Sequence, residues 1–219
     1  MKILKLMFVA VISSFLMILS SNALEKRIGV AAGYTNVEGT GSETLKDSSK
    51  KASKTVDDST LIPSIFAEIA SDSGFGLGVE YVPGTASIGT GSRADDDAET
   101  TAGNKASAEI DGLTSVYVIK TFDNGMFLKA GMTQTDVITK ETLGTGSTYG
   151  NKSVEGTLIG LGMHKVRDNG TFFRASAEYT DYDSFKLTSG VADAVSGTTN
   201  TIDASVDTSA FKLSIGKAF

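Results

Sequence analysis

The chain has 219 residues, 20 Lys and Arg against 26 Asp and Glu, a formal charge of −6 and no cysteine. That length suits one domain with a sizeable core or an equivalent membrane-facing surface. The acidic balance argues against a nucleic-acid partner, and the lack of cysteine excludes disulfides, thiolate zinc sites and cysteine nucleophiles.

Lys2 and Lys5 open the chain, Leu6 to Leu19 form an apolar run broken by Ser13-Ser14, and Ser21-Asn22-Ala23 offer a small-residue cleavage site. This is the layout of a secretory signal peptide. A membrane-anchoring helix would need roughly 20 apolar residues, and polar Ser20, Ser21 and Asn22 interrupt the run first. Residues 1–23 are therefore expected to be a signal peptide and residues 24–219 a single domain. Cleavage there removes two cations and no acid, so the mature chain is more acidic still. No later segment approaches a transmembrane helix, so a membrane protein of this sequence must be a barrel.

Beyond Ala23 the spacing is almost nowhere helical and repeatedly of period two, the signal of a half-buried strand. Ile28-Val30-Ala32-Tyr34 share one face of the first strand. In the second, Leu61-Pro63-Ile65-Ala67-Ile69 oppose Ser64-Phe66-Glu68. In the third, Phe75, Leu77, Val79 and Tyr81 oppose Gly76, Gly78, Glu80 and Val82. The fourth spans Leu113 to Phe122, where Val116 and Val118 share a face with Lys120. Met126-Leu128-Ala130-Met132 oppose Lys129-Gly131-Thr133 in the fifth. Thr157 to Val166, Phe172 to Tyr182 and Thr208 to Phe219 bring the total to eight, each near the ten residues that a tilted membrane strand requires.

The connections alternate between short and long. Ser71-Asp72-Ser73-Gly74, Asp123-Asn124-Gly125 and Arg167-Asp168-Asn169-Gly170 are tight turns, with Asn, Asp and Gly where positive φ is needed. The other four, about Val37 to Thr60, Gly84 to Lys105, Val137 to Ser153 and Ser184 to Ser205, read as long polar loops, and Gly-Thr-Gly-Ser recurs at Gly39, Gly89 and Gly144. A soluble sandwich has no reason to sort its connections so, whereas an outer-membrane barrel has short periplasmic turns and long extracellular loops. The expected fold is an all-β, eight-stranded antiparallel transmembrane up-and-down barrel with both termini in the periplasm. Tyr34, Tyr81 and Tyr179 then fall at the outer ends of strands, and Phe75, Phe122, Phe127, Phe173 and Phe219 at the periplasmic ends, as two aromatic girdles should.

Parity places Glu68, Glu80 and Glu178 inside with Lys120, Lys129, Arg174 and Lys212, and His164 near the periplasmic end. Three acids and four bases can pair there, away from hydrocarbon, where an isolated Lys or Arg costs about 2–4 kcal/mol at mid-depth. Gly76, Gly78, Gly131, Gly160, Gly162 and Gly216 on the same face make room for them. Such a cluster is either an ion pathway or a structural salt-bridge plug, and the narrow bore of eight strands favours the plug.

The last strand, Phe211-Lys212-Leu213-Ser214-Ile215-Gly216-Lys217-Ala218-Phe219, resembles the terminal strand of bacterial outer-membrane proteins, which ends in an aromatic residue preceded by alternating apolar positions. Phe211, Leu213, Ile215 and Phe219 fit, and the resemblance implies that the barrel-assembly machinery reads them; Lys217 departs from the pattern. Throughout its mature length the chain is similar to the OmpA/OmpX-type small barrels. The resemblance implies residence in the cell outer membrane, among its lipid and lipopolysaccharide.

Some outer-membrane barrels are hydrolases that use Ser-His-acid chemistry. The single histidine, His164, has no neighbouring serine and reads as a lumen-filling imidazole paired with a carboxylate, so no enzyme, cofactor or metal is expected. Asp95-Asp96-Asp97 with Glu99 could bind a divalent cation, and Lys46, Lys50, Lys51 and Lys54 could touch lipopolysaccharide, but charge runs in loops are usually only solvated. Two functions remain. One is a closed barrel whose outer loops serve envelope structure, adhesion or surface interaction, including an extracellular ligand or phage. The other is a narrow channel, or an OmpW-like side-opening conduit for apolar molecules, which a lumen wall of Phe66, Val82, Val116, Val118 and Leu158 would favour.

Overall fold

A computed structural model describes residues 24–44, 51–93, 104–142, 149–188 and 201–219. The expected signal peptide lies outside these residues. Ten strand segments are present: β1 Leu24–Thr44, β2 Lys51–Ser71, β3 Phe75–Tyr81, β4 Thr85–Arg93, β5 Asn104–Thr121, β6 Met126–Thr142, β7 Lys152–Val166, β8 Thr171–Tyr182, β9 Phe185–Thr188 and β10 Thr201–Ala218. β3 and β4 both pair with β5, and β8 and β9 both pair with β10, so the ten segments make eight staves. All neighbours are antiparallel, and β1 pairs with β10 from Arg27↔Ala218 to Thr44↔Thr201. That last ladder closes the sheet on itself between the first and last staves.

Three turns join staves at one rim, and glycine makes each possible. Gly74, Gly125 and Gly170 take φ of 81°, 82° and 78°, where a Cβ would be strained. Their amides close the turns on Ser71, Phe122 and Arg167 carbonyls, each at 2.8 Å. Asn124 and Asn169 accept from the amides of Met126 (3.0 Å) and Thr171 (2.9 Å) through their side-chain oxygens. The glycine carbonyls in turn accept from Thr121, His164 and Ala218 on the neighbouring staves, so the turns are tied to one another. Both described chain ends lie at this rim: Leu24 is opposite Ser71, and Phe219 exchanges backbone bonds with Lys26.

At the other rim the expected long loops are largely strand. β1 and β2 stay paired as far as Thr44↔Lys51, and β5 and β6 as far as Lys105↔Thr142. A stave of 21 residues at about 3.3 Å per residue is roughly twice what a bilayer core needs. The Gly-Thr-Gly-Ser repeats at Gly39 and Gly89 lie inside β1 and β4. Small and polar residues recur along these extensions, so no alternation marks them, and only pairing with a neighbouring stave makes them strand. Gly144, Lys46, Lys50, Asp95, Asp96, Asp97 and Glu99 lie outside the described residues; Lys51 and Lys54 are in β2.

The outward face between the rims is apolar and exposed, with Ile28, Val30, Leu61, Ile65, Val79, Leu128, Ile159, Leu161, Leu213 and Ile215 in it. An exposed apolar band of this extent needs a non-aqueous surrounding. Tyr34, Tyr81 and Tyr179 are exposed at one edge of the band, and Phe75, Phe122, Phe173 and Phe219 at the other. Phe127 departs from the girdle expectation: it is buried in the lumen against Tyr117 and Ile119.

One ladder ends early. β2 and β3 pair only from Ala70↔Gly76 to Ile65↔Tyr81. Two steps further in that register, Pro63 faces Pro83, the two prolines of the whole chain. Neither has an amide proton to continue the ladder. Above them, among the described residues, β2 is laddered to β1 alone while β4 is laddered to β5.

Candidate functional site

The lumen collects the charges because the pleat leaves them nowhere else to go: alternate residues on each stave point inward, and inward glycines clear the space. A Cβ on Gly131 would meet the Val116 carbonyl at 2.5 Å and Tyr117 Cβ at 2.7 Å, and one on Gly78 would run into the Tyr117 ring. Three layers result.

Nearest the turn rim, Phe66 and Phe172 pack with centroids 6.0 Å apart, and Ala31 joins them. His164 lies against Phe172, centroid to centroid 5.1 Å.

Above this lies the ionic layer. Glu68 accepts from both terminal nitrogens of Arg174, at 2.5 and 2.6 Å, and from the Tyr117 hydroxyl at 2.8 Å. A bidentate pair with a third donor is a strong, directional arrangement. Lys129 bonds Glu80 at 2.8 Å and Glu178 at 3.1 Å, and Lys212 bonds the same two carboxylates at 2.6 and 3.0 Å. Two acids and two bases thereby form a closed ring, with Ser64 donating to Glu80 at 2.7 Å and Ser176 to Glu178 at 3.3 Å. The rings of the chain take up the remaining cation faces: Lys129 is 4.1 Å from the Tyr117 centroid and Arg174 is 4.9 Å from that of Phe172. Buried charges are tolerable only when paired this fully.

The third layer is apolar. Val37, Ile110, Val137, Val154, Tyr182 and Val206, from six different staves, pack together beyond the ionic layer. Val37 and Val137, expected in loops, are instead strand residues of β1 and β6 that fill this cap.

Glu68, Glu80, Lys129, His164, Arg174, Glu178 and Lys212 are thus placed in the lumen. Lys120 is not. Ser115, Tyr117 and Ile119 are the buried face of β5, so Val116, Val118 and Lys120 point outward, and the apolar wall expected of the two valines is on the membrane side. The Lys120 amine instead bonds the Ser73 carbonyl at 2.5 Å and sits 4.4 Å from the Phe75 centroid. Both faces of this strand carry bulky residues, so parity alone could not choose between them. Replacing Lys120 by methionine should therefore cost no more than about 1 kcal/mol in urea unfolding; a lumen-sized loss would contradict its outward placement.

Arg27 takes the place left by Lys120. It is buried, 3.8 Å from Glu68, and its Nε bonds Glu25. Extending the alternation of the first strand back by one residue would have found it. Tyr117 is the other missed lumen residue. His164 also differs from expectation, since its partner is a cation: Arg174 Nε donates to His164 Nδ1 at 2.8 Å. Among the described residues no group of three or more His, Cys, Asp or Glu could hold a metal ion.

The space left between the ionic residues is about 20 Å³, and that in the apolar cap about 10 Å³. The first holds about one water molecule. Phe211, Leu213, Ile215 and Phe219 lie on the exposed outer face of the terminal strand.

No family model matches the chain, and none of the curated proteins matches it in sequence. Solved structures match it in fold. The outer membrane protein OprG from Pseudomonas aeruginosa superposes with a TM-score of 0.56 at 10% identity, over 90% of this chain and 97% of that one. Ail, the attachment invasion locus protein of Yersinia pestis, in complex with the heparin analogue sucrose octasulfate, gives 0.45 at 11% identity, over 89% and 99%. The outer membrane protease OmpT from Escherichia coli gives 0.43 at 9%, over 89% and 97%. With the wall closed in eight staves, and the OprG structure overlaying 90% of the chain, this protein has the fold of the small eight-stranded outer-membrane β-barrels.

Proposed function

We propose that the protein is a non-enzymatic outer-membrane barrel with a plugged lumen, exported by the signal peptide and inserted through its terminal strand, whose long outer staves present a surface for envelope structure, adhesion or ligand contact. One observation carries this reading: Glu80, Glu178, Lys129 and Lys212 form a closed ionic ring in the lumen, with about 20 Å³ of space between the residues of this layer. A hydrated ion needs a continuous file of waters, and this space holds about one. His164 supports the non-enzymatic part, because its Nδ1 is occupied by Arg174 inside the lumen rather than facing a nucleophile. The turn rim, carrying both described ends, is the periplasmic one, since short turns belong on that side.

A lateral conduit for small apolar molecules is the second reading. The ladder that stops at Ile65↔Tyr81, below the Pro63–Pro83 juxtaposition, favours it, because among the described residues no backbone ladder joins β2 to β4.

Planar-bilayer recording on the refolded mature chain, with heat-modifiable gel migration as the folding check, separates these. Silence is expected from the folded barrel. Discrete, reproducible openings would overturn the plug. Uptake of an apolar fluorophore into vesicles without ionic current would move the function to the β2–β4 seam.

A further inference from the structure

The two edges of the apolar band carry opposite charge. On the edge beyond the tyrosines, Glu38 stands directly opposite Asp57 and Asp207, Asp207 opposite Asp181, and Asp111 opposite Asp136. At the turn rim the outward cations are Lys26 on β1, Lys120 on β5, Lys165 on β7, Arg167 in the following turn and Lys217 on β10. Register confirms their direction: Lys217 is opposite exposed Ile28, and Lys165 opposite exposed Phe173. Of the carboxylates of this rim, Asp72, Asp123 and Asp168 sit in the turns, and Glu25, on β1 beside Lys26, is held by the Arg27 Nε.

The cations are interleaved with rings. Lys120 lies 4.4 Å from the Phe75 centroid and 5.8 Å from that of Phe122, and Arg167 lies 5.0 Å from that of Phe173. Aromatic rings prefer the bilayer interface, and lysine stems lie along apolar surface with the amine reaching headgroup level. The phosphates of glycerophospholipids occupy the level at which these amines and guanidinium groups emerge.

We propose that the turn rim is a binding belt for anionic glycerophospholipid headgroups, selecting them over zwitterionic ones. A headgroup such as phosphatidylglycerol presents its phosphate with no cation of its own to compete for Lys26, Lys165, Arg167 and Lys217. The opposite edge, with its facing carboxylates, repels the same headgroup. The proposal rests on the chain spanning a bilayer, but not on which rim faces the periplasm.

Electron spin resonance of spin-labelled lipids bound at the wall of the refolded barrel tests it in phosphatidylcholine vesicles. Folded protein should associate with labelled phosphatidylglycerol on the order of threefold more strongly than with labelled phosphatidylcholine. The ratio should approach one in 1 M salt, where the screening length is about 3 Å. The quadruple variant K26Q/K165Q/R167Q/K217Q should lose the selectivity at low salt, and Lys140→Gln, on the acidic side, should keep it. Should the quadruple variant fail to fold, K165Q/R167Q, at two exposed positions, should lose about half of the selectivity. A ratio of one for the folded parent, or one unchanged by salt and substitution, overturns the belt while leaving the barrel intact. Absence of any heat-modifiable species in either lipid overturns the membrane-spanning reading and the belt with it.

Discussion

Replacing Arg174 by methionine should destabilise the barrel by about 3–5 kcal/mol, the usual cost of leaving one partner of a buried ion pair uncompensated. Glu68 would lose both guanidinium bonds, at 2.5 and 2.6 Å, and keep the Tyr117 hydroxyl. Arg27, 3.8 Å from Glu68 and with its Nε held by Glu25, gives Glu68 no hydrogen bond to replace the two that are lost. Adding Glu68→Gln to Arg174→Met should then recover about 2 kcal/mol, since the unpaired charge is gone and the two positions share one network. The chain contains no tryptophan, so urea unfolding is followed by circular dichroism and gel migration. An unchanged midpoint in R174M, or a double variant worse than the single one, would show that the pair does not hold the lumen together.

The second large effect is steric. Gly131→Val should destabilise the barrel by about 3 kcal/mol, the upper end of the range for overpacking, and lower the folded fraction after refolding. The new Cβ would stand 2.5 Å from the Val116 carbonyl and 2.9 Å from Tyr117 Cα. These are backbone atoms of the neighbouring stave, which cannot rotate away as a side-chain tip can. Relief requires β5 and β6 to part, and that moves Tyr117 off Glu68 and off Lys129. Gly41→Ala is the control: its Cβ would have nothing nearer than an Ile202 methyl at 4.0 Å, so its effect should stay within about 0.5 kcal/mol. Equal effects from the two substitutions would mean that the close approach at Gly131 is not what sets the bore.

Between the rims the amino-acid sequence is sufficient wherever a strand has one polar face and one apolar face, which holds for β1, β2, β3 and β6 but not for β5. Ile28-Val30-Ala32-Tyr34 and Phe75-Leu77-Val79-Tyr81 declare their outward side by alternation, and Gly74, Gly125 and Gly170 declare the turns by needing positive φ. From those two signals alone the staves, the antiparallel order and most of the inward charges follow, since a charge opposite an apolar face has only the lumen left to occupy.

Three things required the tertiary structure. β5 has bulk on both faces, so its parity was decided by contacts: Tyr117 turns in because Glu68 accepts its hydroxyl, and Lys120 turns out because Phe75 and the Ser73 carbonyl receive its amine. The outer extensions, Val37 to Thr44 foremost, carry small and polar residues without alternation and are strand only because β2 and β10 hydrogen-bond them from left and right. The pairing within the lumen, with His164 against Arg174 and two lysines shared between Glu80 and Glu178, depends on which staves closure brings face to face. Local sequence determines which way a side chain points along its own strand; what it meets there is decided by residues far along the chain, as Lys212 and Glu80 are at 132 positions apart, because a barrel lumen is made of non-local neighbours.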